Sequence, residues 1–195
     1  MRVLIFVAFA FAFVISSNEP SFAASHLAAT RFVGPPPPFI SACHRYAWLC
    51  LTHSGKAMGD QEALALLKQI NSRVNAEVIP AEDIVTYGRQ DYWSLPTNGR
   101  GDCEDYALLK KKELQDAGFK SDKLAMTVVL DRNGGNHSVL MARLAGGDYI
   151  LDNLSSSVRA WEDTGYTFIA RQNFQDERRW EVILAGPRAS QVASR

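Results

Sequence analysis

The sequence predicts an α+β domain in which helices come first and a mainly antiparallel sheet follows. Two observations set this order. Apolar Ala63, Leu64, Leu67, Ile70 and Val74 recur at three- and four-residue spacing between Asp60 and about Val78, and a second helix is expected from about Cys103 to Ala117. Beyond Gly118 the period changes. Short apolar runs read as strands at Leu124–Leu130, His137–Leu144, Tyr149–Asp152, Tyr166–Ala170 and Trp180–Leu184, with Asn133, Gly134 and Gly135 and then Gly146 and Gly147 as turns. A chain of 195 residues suits one well-buried core better than two.

At the amino end, Arg2 precedes an unbroken apolar run from Val3 to Ile15, followed by polar Ser16 to Glu19. Small residues at Ser21 and Ala23 place signal-peptide cleavage before Ala24. The alternative, an uncleaved anchor, is disfavoured because about 13 apolar residues fall short of the roughly 20 that span a bilayer. The mature protein is therefore expected in the periplasm or outside the cell. Residues 24–38 are rich in Ala, Ser and Thr and end in Pro35 to Pro38, which predicts an extended, polyproline-like linker. Pro80 closes the first helix, Asn98 to Gly101 mark a sharp turn into the second, and Gly118 suits a left-handed stop after it. Residues 188–195 are expected to form a flexible tail.

Lysine plus arginine equals aspartate plus glutamate at 21 each, so no global field draws the chain to nucleic acid or an anionic membrane. Lys110, Lys111 and Lys112 read as a solvated helix face. The three cysteines are an odd number for an oxidising compartment, and the nearest pair in sequence is Cys43 with Cys50. Seven residues of straight helix rise about 10 Å, too far for a disulfide, so a bridge there requires the segment to bend. Two unpaired thiols are the alternative.

Cysteine catalysis needs a thiolate, a base, and a group that fixes the tautomer of the base. Cys103 stands at a helix start, where free backbone N–H groups favour negative charge. His137 opens one strand and Asp152 ends the next, so a hairpin folding near Ala145 to Gly147 sets them almost opposite one another, offset by a residue or two. Taken singly, each has an ordinary structural explanation. His26, His44 and His53 have no matching carboxylate context and read as structural. Tyr92 and Trp93 precede the nucleophile loop; aromatics of this kind commonly fill a core, and the alternative is a wall of the substrate cleft.

Read together, these pieces resemble the bacterial transglutaminase-like cysteine proteinases. The pattern comprises Val74 and Asn75, Asp83, Tyr87 and Gly88, Asp91 and Trp93, then the run Gly101-Asp102-Cys103-Glu104-Asp105-Tyr106-Ala107-Leu108. It continues with Asn136-His137-Ser138-Val139-Leu140 and Leu151-Asp152-Asn153. The resemblance covers roughly residues 38 to 185, and the domain is placed at 39–187. It implies a papain-like, transglutaminase-type fold and a Cys103–His137–Asp152 triad that acts through an acyl-enzyme and itself needs no cofactor. Hydrolysis of a peptide bond is the leading expectation. Acyl transfer to an amine, as in a literal transglutaminase, and a binding module with a disused triad are the alternatives.

The acidic neighbours Asp102, Glu104 and Asp105 should raise the pKa of the thiol unless something offsets their charge. His137 as an imidazolium is one candidate, and a divalent cation is another. Adhesin-processing members of the family are calcium-dependent through acidic residues on both sides of the cysteine, and Asp102 and Glu104 match those positions. Carboxylates that favour the helix start without any metal are the alternative. The resemblance also implies a protein substrate such as a surface adhesin, and a regulatory inner-membrane receptor as partner.

Overall fold

The computed structural model describes residues 25–194, so the expected signal peptide lies outside the described residues. In chain order the elements are β1 (Arg31–Val33), α1 (Pro37–Arg45), α2 (Asp60–Glu77), β2 (Ile79–Pro80), α3 (Asp83–Thr86), β3 (Arg100–Gly101) and α4 (Cys103–Asp116). There follow β4 (Leu124–Leu130), β5 (Asn136–Leu144), β6 (Gly147–Asp152), β7 (Ser155–Ala160), β8 (Thr167–Gln172), β9 (Trp180–Ala185) and α5 (Ala189–Ala193). Seven strands form one antiparallel sheet in the order β1-β9-β8-β4-β5-β6-β7. The expected α+β order holds, with every expected strand present.

The sheet separates two apolar layers by its period of two. Leu124, Met126, Leu140, Ala142, Leu144 and Leu151 face the helices, where Leu67, Ile70 and Val74 of α2 and Ala107, Leu108 and Leu114 of α4 complete the larger core. Ala125, Val129, Val139, Met141, Ile150 and Phe168 form the opposite layer, closed by Leu27 and Phe174. Leu67 is fully buried, so Leu67→Ala would cost about 2–5 kcal/mol. Gly118, with φ 93°, follows α4 and carries the left-handed turn that the sequence calls for.

The segment 24–38 is more than a linker. Arg31–Val33 pair with β9, extending the sheet by a strand. Pro36 keeps polyproline dihedrals, φ −54° and ψ 136°, but Pro37 begins α1, since a proline in the first helical turn forfeits no hydrogen bond. Within 188–195, expected as a flexible tail, residues Ala189–Ala193 form α5.

Cys43 and Cys50 are joined, with alpha carbons 5.7 Å apart. The straight-helix objection does not apply, because α1 ends at Arg45 and the chain bends through a 3-10 turn at Ala47–Leu49. Lys110 and Lys111, expected on a solvated face, are instead fully buried. α4 is enclosed by α2 on one side and β5 on another, so its inward face runs further round than the sequence pattern indicates. Lys111 is compensated by a 3.0 Å ion pair with Glu177 and by hydrogen bonds to Leu124 O and Gln172. Lys110 Nζ has no hydrogen-bond partner, and burial lowers its pKa to about 7.

Candidate active site

Cys103 is the first residue of α4, and its position follows from the five residues Gly101 to Asp105. Asp102 stands at the N-cap in extended conformation, but its side chain makes no capping bond, so the first-turn amides are not consumed by it. A Cβ on Gly101 would lie 2.6 Å from Asp105 Cβ, so only glycine lets Asp105 fold back under the turn. Asp105 Oδ1 then accepts the Ser94 N–H at 2.7 Å, fastening the loop before the nucleophile to the helix. A two-stranded parallel pair, Ile79 with Arg100 and Pro80 with Gly101, ties the end of α2 to the same turn.

His137 and Asp152 come from the β5–β6 hairpin, which turns at Ala145 and Gly146, within the expected span. Their side chains meet in a buried hydrogen bond, Nε2 to Oδ1 at 2.8 Å. The Leu154 N–H also donates to Oδ1 at 3.0 Å, and the Tyr166 hydroxyl donates to Oδ2 at 2.6 Å. The Asp152 backbone is held in turn, its N–H donating to Asn71 Oδ1 and its carbonyl accepting from Asn75 Nδ2. Burial pushes the Asp152 carboxyl up, yet the donors His137, Tyr166 and Leu154 outweigh it and hold the group below its ordinary value.

The Cys103 thiol is partly buried, and the backbone N–H of Ser138, next to His137, acts to lower its pKa. Its own hydrogen bond goes to Glu104 Oε2 at 3.1 Å. Burial and the adjoining Glu104 charge push the thiol well above its usual value, the direction expected from the acidic neighbours.

These carboxylates form a cluster that sequence reading caught only in part. Asp83, at the start of α3, joins Asp102 and Glu104, with one ligand oxygen of each lying within 4.8 Å of the others. Burial raises the pKa of each of the three, and mutual repulsion adds to the rise in Asp102 and Glu104. Asp83 Oδ1 and Asp102 Oδ1 are buried without a hydrogen-bond partner. Converging, unsatisfied carboxylate oxygens are the donor set of a hard divalent cation, so the residues present fit one. Asp83 stands in the sequence pattern, but only the fold brings it to the nucleophile.

Trp93 is in the core, edge-on to Phe39 and near Trp180, whereas Tyr92 is partly exposed beneath the Arg45 guanidinium. His26 and His53, read from the sequence as structural, are bonded to Asp148 and to Leu51 O.

Comparison with known families settles the class of protein to which this site belongs. The model of the bacterial transglutaminase-like cysteine proteinases matches residues 30–187. The chain belongs to this family. It is a cysteine peptidase with a transglutaminase-like fold. Among solved structures, calcium-bound LapG of Legionella pneumophila is 27% identical over 59% of this chain and 67% of its own, with a TM-score of 0.52. A second LapG structure from the same organism is 27% identical over 59% of this chain and 66% of its own, with a TM-score of 0.51. No curated protein matches the chain. Among the described residues, no helix is long and apolar enough to cross a membrane.

Proposed function

We propose that the protein is an exported cysteine endopeptidase that cuts a periplasmic or surface protein through an acyl-enzyme on Cys103. The observation that carries this reading is the buried 2.8 Å bond from His137 Nε2 to Asp152, which leaves Nδ1 to serve the thiol beside Ser138. His137 Nδ1 takes the Cys103 proton, and the sulfur attacks the carbonyl carbon of the scissile bond. The oxygen becomes negative and is met by amides at the start of α4. Collapse breaks the C–N bond as His137 returns its proton to the leaving amine. Water then attacks the thioester, giving a proton to His137, and the acid and the thiol are released. Asp152 keeps the imidazole in the useful tautomer and balances the imidazolium.

Calcium, bound in LapG of Legionella pneumophila, is the cation assigned here to Asp83, Asp102 and Glu104. Asp83, Asp102 and Glu104 would hold it, and its charge would offset theirs beside the thiol, including that of Glu104, which accepts the thiol hydrogen bond. Residues 1–23 act as the signal peptide, which places the enzyme in the periplasm. Its substrate class is a large surface adhesin, and its regulator is an inner-membrane receptor. Comparing the surface proteome of cells with wild type and with Cys103→Ala tests this: an adhesin-like protein should be retained intact only in the variant. Identical cleavage patterns in both would overturn the reading.

A further inference from the structure

Asp152 has two carboxylate oxygens with separate duties. Oδ1 faces His137 and accepts from the Leu154 N–H, while the Tyr166 hydroxyl donates to Oδ2 at 2.6 Å. The same tyrosine packs its ring edge-on to the His137 imidazole, with centroids 5.7 Å apart and planes at 84°. One side chain therefore touches both partners of the pair, fixing the plane of the carboxylate and walling the imidazole.

Tyr166 is itself fixed from several directions. It follows Gly165, whose φ of 73° turns the chain out of the 3-10 segment Trp161–Thr164 and into β8. The Tyr166 N–H donates to Thr164 Oγ1, and Arg132 Nε donates to Thr164 O at 2.8 Å, anchoring that turn to the loop after β4. The ring belongs to the apolar layer with Val129, Val139 and Ile150. Little freedom remains for the hydroxyl to leave Asp152. A hydrogen bond to a buried carboxylate is among the stronger kinds, and an immobilised donor spends no ordering entropy each time the imidazole changes charge.

We infer that Tyr166 is a positioning residue of this peptidase, orienting Asp152 through its hydroxyl and the His137 ring through its edge, so that Nδ1 faces Cys103. This rests on the triad proposed above and extends it by a fourth member that acts through Asp152 and His137. The hydroxyl is separable from the ring, because Tyr166→Phe keeps the packing against His137 and removes only the donor to Oδ2.

The test uses iodoacetamide alkylation of Cys103 in the mature protein with calcium present, followed by mass spectrometry, so no substrate need be known. Tyr166→Phe should stay folded, melting a few degrees below wild type because Oδ2 loses its donor, yet react roughly tenfold more slowly, as expected for loss of one charge-assisted hydrogen bond. The His137 ring N–H resonance should move upfield as its bond to Asp152 loosens. In an Asp152→Ala background the tyrosine change should add nothing, because the acceptor is gone. A merely structural role predicts an alkylation rate within twofold of wild type, an unmoved resonance, and additive effects; any of these overturns the inference. Should Asp152→Ala react slowly while Tyr166→Phe does not, this inference alone fails. Should neither slow the reaction, the triad fails with it.

Discussion

His137 and Asp152 meet on a diagonal of the β5–β6 ladder. The register pairs Leu140 with Leu151, so one further step sets Asp152 against Val139, with His137 two residues beyond on the same face. A diagonal of this kind separates alpha carbons by about 7–8 Å, within reach of long side chains, and the 2.8 Å bond closes it. A slip of one residue would send one partner to the opposite face. The two-residue turn at Ala145 and Gly146 therefore sets the geometry of a site at the far end of the strands. Asp60 accepts from the N–H groups of both turn residues and secures it.

The carboxylate cluster predicts calcium dependence that includes Asp83. Calcium should raise the melting temperature of wild type, because a ligand bound only by the folded state adds stability. Asp83→Ala, Asp102→Ala and Glu104→Ala should each reduce that rise and lower peptidase activity, and chelation of the wild type should do the same. Full activity in a strong chelator would remove the metal from the site.

Lys110 predicts an unusual pH dependence of stability. Its folded pKa of about 7 lies below its ordinary value of 10.5, so the unfolded chain binds more protons between these limits. The cost of burying the ammonium is therefore greatest below about pH 7 and fades as the pH approaches 10.5. Lys110→Met should raise the melting temperature at neutral pH, with the gain shrinking as the pH rises. A constant difference across that range in thermal melts would show that the amine is not titrating.

Much of this architecture is legible in the sequence, for identifiable reasons. Strong periodicity places α2, α4 and the central strands, and the Asn133 to Gly135 and Gly146 to Gly147 turns fix which strands are neighbours. Short elements escape because they take their order from a neighbour. Arg31–Val33 is a strand only because β9 offers an edge, and Ser155–Ala160, rich in serine, is one only because β6 does. Lys110 and Lys111 mislead because helix pattern alone cannot reveal that α4 is packed on two sides, by α2 and by β5. Asp83 and Tyr166 lie 20 residues before Cys103 and 14 after Asp152, and their roles come from the fold alone.

The disulfide predicts one reactive thiol. Denatured, unreduced protein from an oxidising compartment should titrate as a single free cysteine, Cys103, with Cys43 and Cys50 joined. Replacing both by alanine should cost roughly 2–3 kcal/mol, the chain-entropy value for so short a loop. Three free thiols would contradict the pairing.

Whether His137 activates Cys103 is tested most directly by the pH dependence of iodoacetamide alkylation at that cysteine, compared between wild type and His137→Ala with calcium present. Wild type should react fast near neutral pH. The variant should react slowly there and recover only as the pH rises toward and beyond an ordinary thiol value of about 8.5. Equal rates at neutral pH would contradict a Cys103–His137 couple and leave the thiol activated by some other group.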